Sequence, residues 1–155
     1  MAKKKEISLI EKKTKKRELL VKKLVSEAKL PTKAYAGDLG WDLYSAEDVV
    51  IEPREIKAIR TGIAVQLPAG FGAFIKDRSS RAKMGLHCIG GVIDNGYRGE
   101  IIVLITNLSR DVVKIKKGEK IAQLVLISLV ECSLKEVDEL GTSERGNRGF
   151  GSSGR

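Results

Sequence analysis

Residues 100–130, EIIVLITNLSRDVVKIKKGEKIAQLVLISLV, decide the fold. They hold three apolar-rich runs, EIIVLIT at 100–106, DVVKIK at 111–116 and KIAQLVLISL at 120–129, the last two parted by the turn pair Lys117-Gly118. Val and Ile dominate and no run keeps a helical period for long, so each reads as a β-strand. Working outward, short strands recur at 48–51 (DVVI), 62–67 (GIAVQL) and 71–76 (FGAFIK), with turns at Glu52-Pro53, 68–70 (PAG) and 94–96 (DNG). Many short strands at this spacing indicate an all-β sandwich or barrel. One short helix is expected at 80–84. The predicted core includes Val50, Ile63, Val65, Phe74, Ile101, Val103, Ile105, Ile121, Leu124 and Leu126.

A chain of 155 residues is the size of one domain and buries a core without disulfides or a structural metal. With one His and two distant thiols, Cys88 and Cys132, no Cys/His zinc cage or disulfide framework is expected. The longest nearly apolar run, 121–130, is far shorter than the roughly 20 residues that cross a bilayer. No transmembrane helix, secretory signal or membrane partner is expected, and the expected location is cytoplasmic. The net charge of +9 is uneven, since residues 1–24 carry nine Lys and one Arg against three Glu. Three parts follow: a basic extension at 1–17, a β-domain at 18–140, and a Gly- and Arg-rich segment at 141–155 that cannot order itself alone. The extension reads either as an arm for an anionic surface or as a solvated tail.

Five segments are richer in Gly, Asp, Arg or Ser than turns require: 36–45 (AGDLGWDLYS), 77–85 (DRSSRAKMG), 90–100 (GGVIDNGYRGE), 117–124 (KGEKIAQL) and 144–154 (ERGNRGFGSSG). Each alone has a structural reading as a turn, a helix cap, a hairpin or a tail. In this order and spacing, across about residues 20–154, they resemble the five motifs of the trimeric dUTPase family, most tellingly in GVIDNGYRGE and RGNRGFGSSG. The resemblance implies a homotrimer of jelly-roll-like, distorted β-barrels with one short helix and a mobile C-terminal arm. It further implies Mg²⁺-assisted hydrolysis of dUTP to dUMP and pyrophosphate, at sites shared between subunits.

The residue types suit those roles. A nucleoside triphosphate carries about four negative charges, so its site needs fixed cations, converging donors and usually a metal. Arg78, Arg145 and Arg148 are the candidate cations, while Ser79, Ser80, Gln123, Gly151, Ser152 and Ser153 supply donors and close backbone approach. By resemblance, Arg78 and Ser79 act near the leaving phosphates, Gln123 holds a phosphate oxygen, and Arg145 with the serine pair grips the γ-phosphate. Arg148 stands where relatives more often have Gly. Asp94 is the candidate for orienting and activating the attacking water, and by resemblance Asp42 is the carboxylate that holds Mg²⁺ through water. Tyr97 is expected under the deoxyribose and Phe150 over the uracil. Backbone groups around Ile89, Gly90, Gly91 and Val92 are expected to read the base, with Cys88 beside it.

Other readings are weaker. The G-x-G-x-x-G at Gly149, Gly151 and Gly154 is followed only by Arg155, so no helix start follows it. Nothing in the spacing of Ser79, His87 and Asp94 supports a hydrolytic triad. dCTP deaminase shares the fold and the Arg-Ser-Ser pattern, but its strand Glu has no counterpart in Ile102-Val103-Leu104-Ile105-Thr106. A nucleic-acid module acting through the basic tail would explain none of the five segments, so nucleic acid is not the expected partner.

Overall fold

The computed structural model describes residues 17–148. The expectations for Phe150, Gly151, Ser152 and Ser153, and nearly all of the basic extension, lie outside the described residues.

The elements run β1 (Leu20–Lys23), β2 (Gly40–Tyr44), β3 (Val49–Ile51), β4 (Ile56–Gln66), β5 (Phe71–Lys76), α1 (Ser79–Lys83), β6 (Leu86–Cys88), β7 (Val92–Ile93), β8 (Glu100–Asn107), β9 (Val113–Ile115) and β10 (Lys120–Ser128). All named pairings are antiparallel and build one sheet in the order β1-β4-β8-β6, a second in the order β2-β10-β5-β7, and a β3-β9 ribbon. The all-β expectation and the single short helix hold among the described residues. A closed barrel does not: the hydrogen-bonded ladders stay separate, and the chain leaves β6 in one sheet and enters β7 in the other through residues 89–91, where Gly90 and Gly91 have positive φ. No described helix is long and apolar enough to cross a membrane.

Strand alternation explains the core. Along β8, Ile101, Val103 and Ile105 point inward and Ile102 and Leu104 outward. One buried cluster takes Ile59, Ile63 and Val103 from the first sheet, Leu43, Ala73, Ile75 and Leu124 from the second, and Ile51 and Val113 from the ribbon. Buried Asn107 is saturated: its amide donates to the carbonyls of Ile51 (3.0 Å) and Asp111 (2.8 Å), and its Oδ1 accepts from Ser109.

Three core assignments need correction. Val50 is 45% exposed because its neighbours Val49 and Ile51 take the inward positions of β3. Phe74 is 38% exposed for the same reason, since Ala73 and Ile75 are the inward residues of β5. Leu126 is only partly buried against the core. The strand expected at 62–67 starts earlier, at Ile56, and carries a register shift between Arg60 and Ala64 against β8. There the Gly62 N–H donates to Glu100 Oε1 (2.8 Å) and the Thr61 hydroxyl to the Ile101 carbonyl (2.6 Å).

Candidate active site

A cleft of about 660 Å³ lies on the outer face of the second sheet. Gln123 of β10 stands opposite Asp42 of β2 on one side and Lys76 of β5 on the other, so the three side chains share a face. A β-bulge between Lys120 and Ala122 turns Lys120 onto this face and Ile121 into the core. Arg78 and Ser79, where β5 passes into α1, complete the polar wall, and Phe74 supplies an apolar one.

Asp42 is the electrostatic centre of the cleft. One carboxylate oxygen accepts from Arg78 Nε (2.7 Å) and the other from Lys120 Nζ (2.7 Å). The Asp42 hydrogen bond holds the Lys120 ammonium above its ordinary pKa. Arg78 also reaches the Ser80 hydroxyl through Nη1 (3.4 Å), and its Nη2 has no partner among the described residues. Gln123 Nε2 donates to the Asp77 carbonyl (2.7 Å). Its Oε1 lies 2.1 Å from where a Cβ on Gly40 would stand, so only glycine there leaves the amide in place. Neither serine hydroxyl caps α1; Ser79 lines the cleft, while Ser80, which does not line it, accepts from Arg78.

A second cavity, of about 230 Å³, is lined by Gly91, Val92, Asp94, Tyr97, Ile102 and Leu104 among others. Gly91, at the end of the sheet-to-sheet crossing, reaches its edge, whereas Ile89 and Gly90 are not among its lining residues. Ile89 N–H donates to the Leu104 carbonyl (3.0 Å), and Ile75 N–H to the Gly91 carbonyl (2.8 Å). Gly90 (φ 66°) and Gly91 (φ 86°) take the left-handed conformations the crossing requires. Between those anchors, the N–H groups of Gly90 and Gly91 and the carbonyls of Ile89 and Gly90 make no hydrogen bond among the described residues. The turn beyond is fixed by Tyr97 N–H donating to the Asp94 carbonyl (3.1 Å) and by the Asn95 amide donating to the carbonyls of Pro68 (2.8 Å) and Phe71 (2.7 Å). The Tyr97 hydroxyl donates to the Glu100 carbonyl (2.9 Å), setting the ring at the cavity mouth.

The structure thus gathers Asp42, Arg78, Ser79 and Gln123 in one cavity and Gly91, Val92, Asp94 and Tyr97 in another. Cys88 lines neither: its N–H donates to Asp77 Oδ1 (2.6 Å), and burial, with Asp77 beside it, pushes its thiol up to about 12. Arg145 and Arg148 bond each other's carbonyls and line neither cavity. His87 Nδ1 meets Asp77 Oδ2 at 2.7 Å rather than Ser79 or Asp94, so no triad forms. Lys120, Lys76 and Phe74 are cleft residues that the sequence reading did not assign.

Among the described residues no three His, Cys, Asp or Glu side chains cluster to cage a metal. Asp38 and Asp42 are the cleft carboxylates; Asp38 Oδ2 accepts from the Tyr35 N–H, and Asp42 beside Arg78 and Lys120 suits an ion that takes most of its ligands from phosphate oxygens and water, as Mg²⁺ does.

Comparison with known proteins relates the chain to one family. The dUTPase family model matches residues 26–154. The deoxyuridine 5'-triphosphate nucleotidohydrolase of Clostridium kluyveri is 49% identical over 140 residues, 88% of this chain and 98% of the relative. That of Thermobifida fusca is 46% identical over 86% of this chain and 77% of the relative. A Staphylococcus bacteriophage 80alpha dUTPase solved with dUPNHPP superposes with a TM-score of 0.83 at 34% identity, covering 89% of this chain and 99% of that one. A mutant dUTPase of phage phi11 of S. aureus, described with a structural Mg(II) ion, gives 0.75 at 29% identity over 81% of this chain and 99% of that one.

Proposed function

The chain belongs to the dUTPase family, and on that premise we propose that it hydrolyses dUTP to dUMP and pyrophosphate, with the residues of the two cavities in the roles that follow. The observation that carries this reading is the pairing of a cationic cleft centred on Asp42 with a cavity next to the uncommitted backbone groups of 89–91.

Arg78, Ser79 and Gln123 bind the triphosphate oxygens, the guanidinium through donors that Asp42 leaves unused. Asp42 is the residue that would hold Mg²⁺, and the ion when bound would neutralise charge on the phosphate oxygens. Asp94 orients the nucleophilic water and takes its proton as the water attacks the α-phosphorus. Tyr97, pinned through its hydroxyl, packs against the deoxyribose. Uracil offers a donor at N3 between two carbonyl acceptors, which matches the mixed donors and acceptors of 89–91 and which cytosine lacks. Cys88, whose backbone N–H donates to Asp77 Oδ1, stands immediately before the base-reading backbone of 89–91.

The assembly is a homotrimer in which neighbouring subunits complete each site. Two features support it. The two cavities share no lining residue within one chain. Beyond β10, Val130, Leu134 and Leu140 are 84, 96 and 88% exposed, apolar surface that a neighbouring copy would cover. Residues 141–155, with Arg145, Phe150, Gly151, Ser152 and Ser153, form the arm that closes over the nucleotide, residues 18–140 the β-domain, and 1–17 the basic extension.

The decisive assay measures pyrophosphate from dUTP, dCTP, dTTP and UTP with and without Mg²⁺. Release from dUTP alone, dependent on Mg²⁺, is expected. Ammonia from dCTP without pyrophosphate from dUTP would overturn the assignment in favour of a deaminase.

A further inference from the structure

Asp77, which no role above uses, opens the 77–85 segment and bonds both Gln123 of the 117–124 segment and the strand β6. It follows β5 directly and precedes Arg78. Its carbonyl accepts from Gln123 Nε2 (2.7 Å), its Oδ1 from the Cys88 N–H (2.6 Å), and its Oδ2 meets His87 Nδ1 (2.7 Å). Burial works against the ionised carboxyl, but the Cys88 N–H and the His87 ring outweigh it and hold the pKa below the ordinary value.

The position of the Cys88 bond matters more than its strength. β6 pairs with β8, and the Ile89 N–H donates to Leu104 of β8, so the Cys88 N–H points away from that partner strand. Asp77 is what it meets, and Asp77 extends β5, a strand of the other sheet. The carboxylate therefore fastens the two sheets together one residue before the chain crosses between them. At the far end the Ile75 N–H holds Gly91. The uncommitted backbone groups of 89–91 are suspended between these two anchors.

We propose that Asp77 is a positioning residue for base selection: by holding the Cys88 N–H from the opposite sheet it fixes the backbone of 89–91 in the geometry that distinguishes uracil from cytosine. The inference rests on the dUTP reading above, because that reading assigns 89–91 to the base. His87 supports it from outside by fixing the carboxylate's orientation through Oδ2. Asp77 touches no reacting atom, and its effect passes through the 88–91 backbone.

The test compares kcat/KM for dUTP and dCTP, together with thermal stability, in the wild type, Asp77→Ala, Asp77→Asn and His87→Gln. Asp77→Ala should lower the dUTP preference over dCTP about ten-fold, the effect of one ordering hydrogen bond, mostly through a higher KM for dUTP. Asp77→Asn keeps an acceptor for Cys88 and should restore most of the preference. His87→Gln, at an exposed side chain, should fold normally and reduce the preference by two- to three-fold, which keeps the question open to measurement should Asp77→Ala fail to fold. An unchanged dUTP-to-dCTP ratio in folded Asp77→Ala, or in His87→Gln if Asp77→Ala does not fold, would overturn the inference even where stability drops. A wild type that releases no pyrophosphate from dUTP would instead defeat the functional reading itself.

Discussion

Two adjacent glycines at the sheet crossing differ in one physical respect, and the difference can be measured. Both Gly90 and Gly91 have positive φ, so an alanine at either position pays backbone strain of roughly 1–2 kcal/mol. At Gly90 a Cβ would meet nothing within 4 Å. At Gly91 it would stand 2.9 Å from Ile75 Cβ and 3.2 Å from the Ile75 carbonyl oxygen. Ile75 is 4% exposed and donates its N–H to the Gly91 carbonyl, so it has little room to retreat without losing that bond. Forced overpacking of this kind costs roughly 1–3 kcal/mol. Gly91→Ala should therefore destabilise by about 2 kcal/mol more than Gly90→Ala. Urea unfolding followed by the single tryptophan, half-buried Trp41, reads the difference, with all proteins at one concentration because assembly contributes to apparent stability. The corresponding gap in Tm is about 4–8 °C for a chain of this size. Equal losses in the two variants would show that the crossing does not press on Ile75, and with it would fall the idea that 89–91 is held taut between its anchors.

Asp94→Asn should retain nucleotide binding while turnover drops on the order of 10²- to 10⁴-fold, because the amide orients a water but cannot take its proton; a near-normal rate would remove Asp94 from the mechanism. The two thiols should separate in a native titration with a disulfide reagent at pH 8. Cys88, whose thiol burial raises from 9.0 to about 12, reacts only after unfolding, whereas Cys132, exposed within one chain, reacts natively to the extent that a neighbouring copy leaves it uncovered; two fast thiols would contradict the placement of Cys88. The same shift sets a pH dependence. The folded state holds the Cys88 proton more tightly than the unfolded chain, so this contribution to stability is complete below about 9 and is lost as pH rises toward 12.

The sequence made the strand inventory legible where apolar runs were long, as in β5, β8 and β10, whose positions agree with the expectation to within two residues. It was silent on β1, β6 and β7, which are two to four residues long and exist only because a longer partner strand is present. Phe74 shows a subtler loss. Composition marks it as core, and only the inward direction of Ala73 and Ile75 turns it into a wall of the cleft. Val50 fails in the same way between Val49 and Ile51. Asp77 lay inside a quoted segment yet drew no role, because its value depends on a partner eleven residues on and in another sheet.

Lys120 shows why a site can be half visible in a sequence. In a regular strand, residues 121, 123 and 125 would share a face, and 120 would point with 122 toward the other. Ile121 is 1% exposed, however, and Lys120 lines the cleft with Gln123 and Val125. The bulge between Lys120 and Ala122 reconciles these facts by adding one residue against β2, where Lys120 faces Tyr44 and Gln123 faces Asp42. One inserted residue thus does two things: it keeps an isoleucine in the core and delivers a second cation to the carboxylate that Arg78 already holds. A reader of alternating polarity alone places Gln123 correctly and Lys120 on the wrong side. The two cations on Asp42 therefore depend on a backbone irregularity as well as on the segments that supply Asp42 and Arg78.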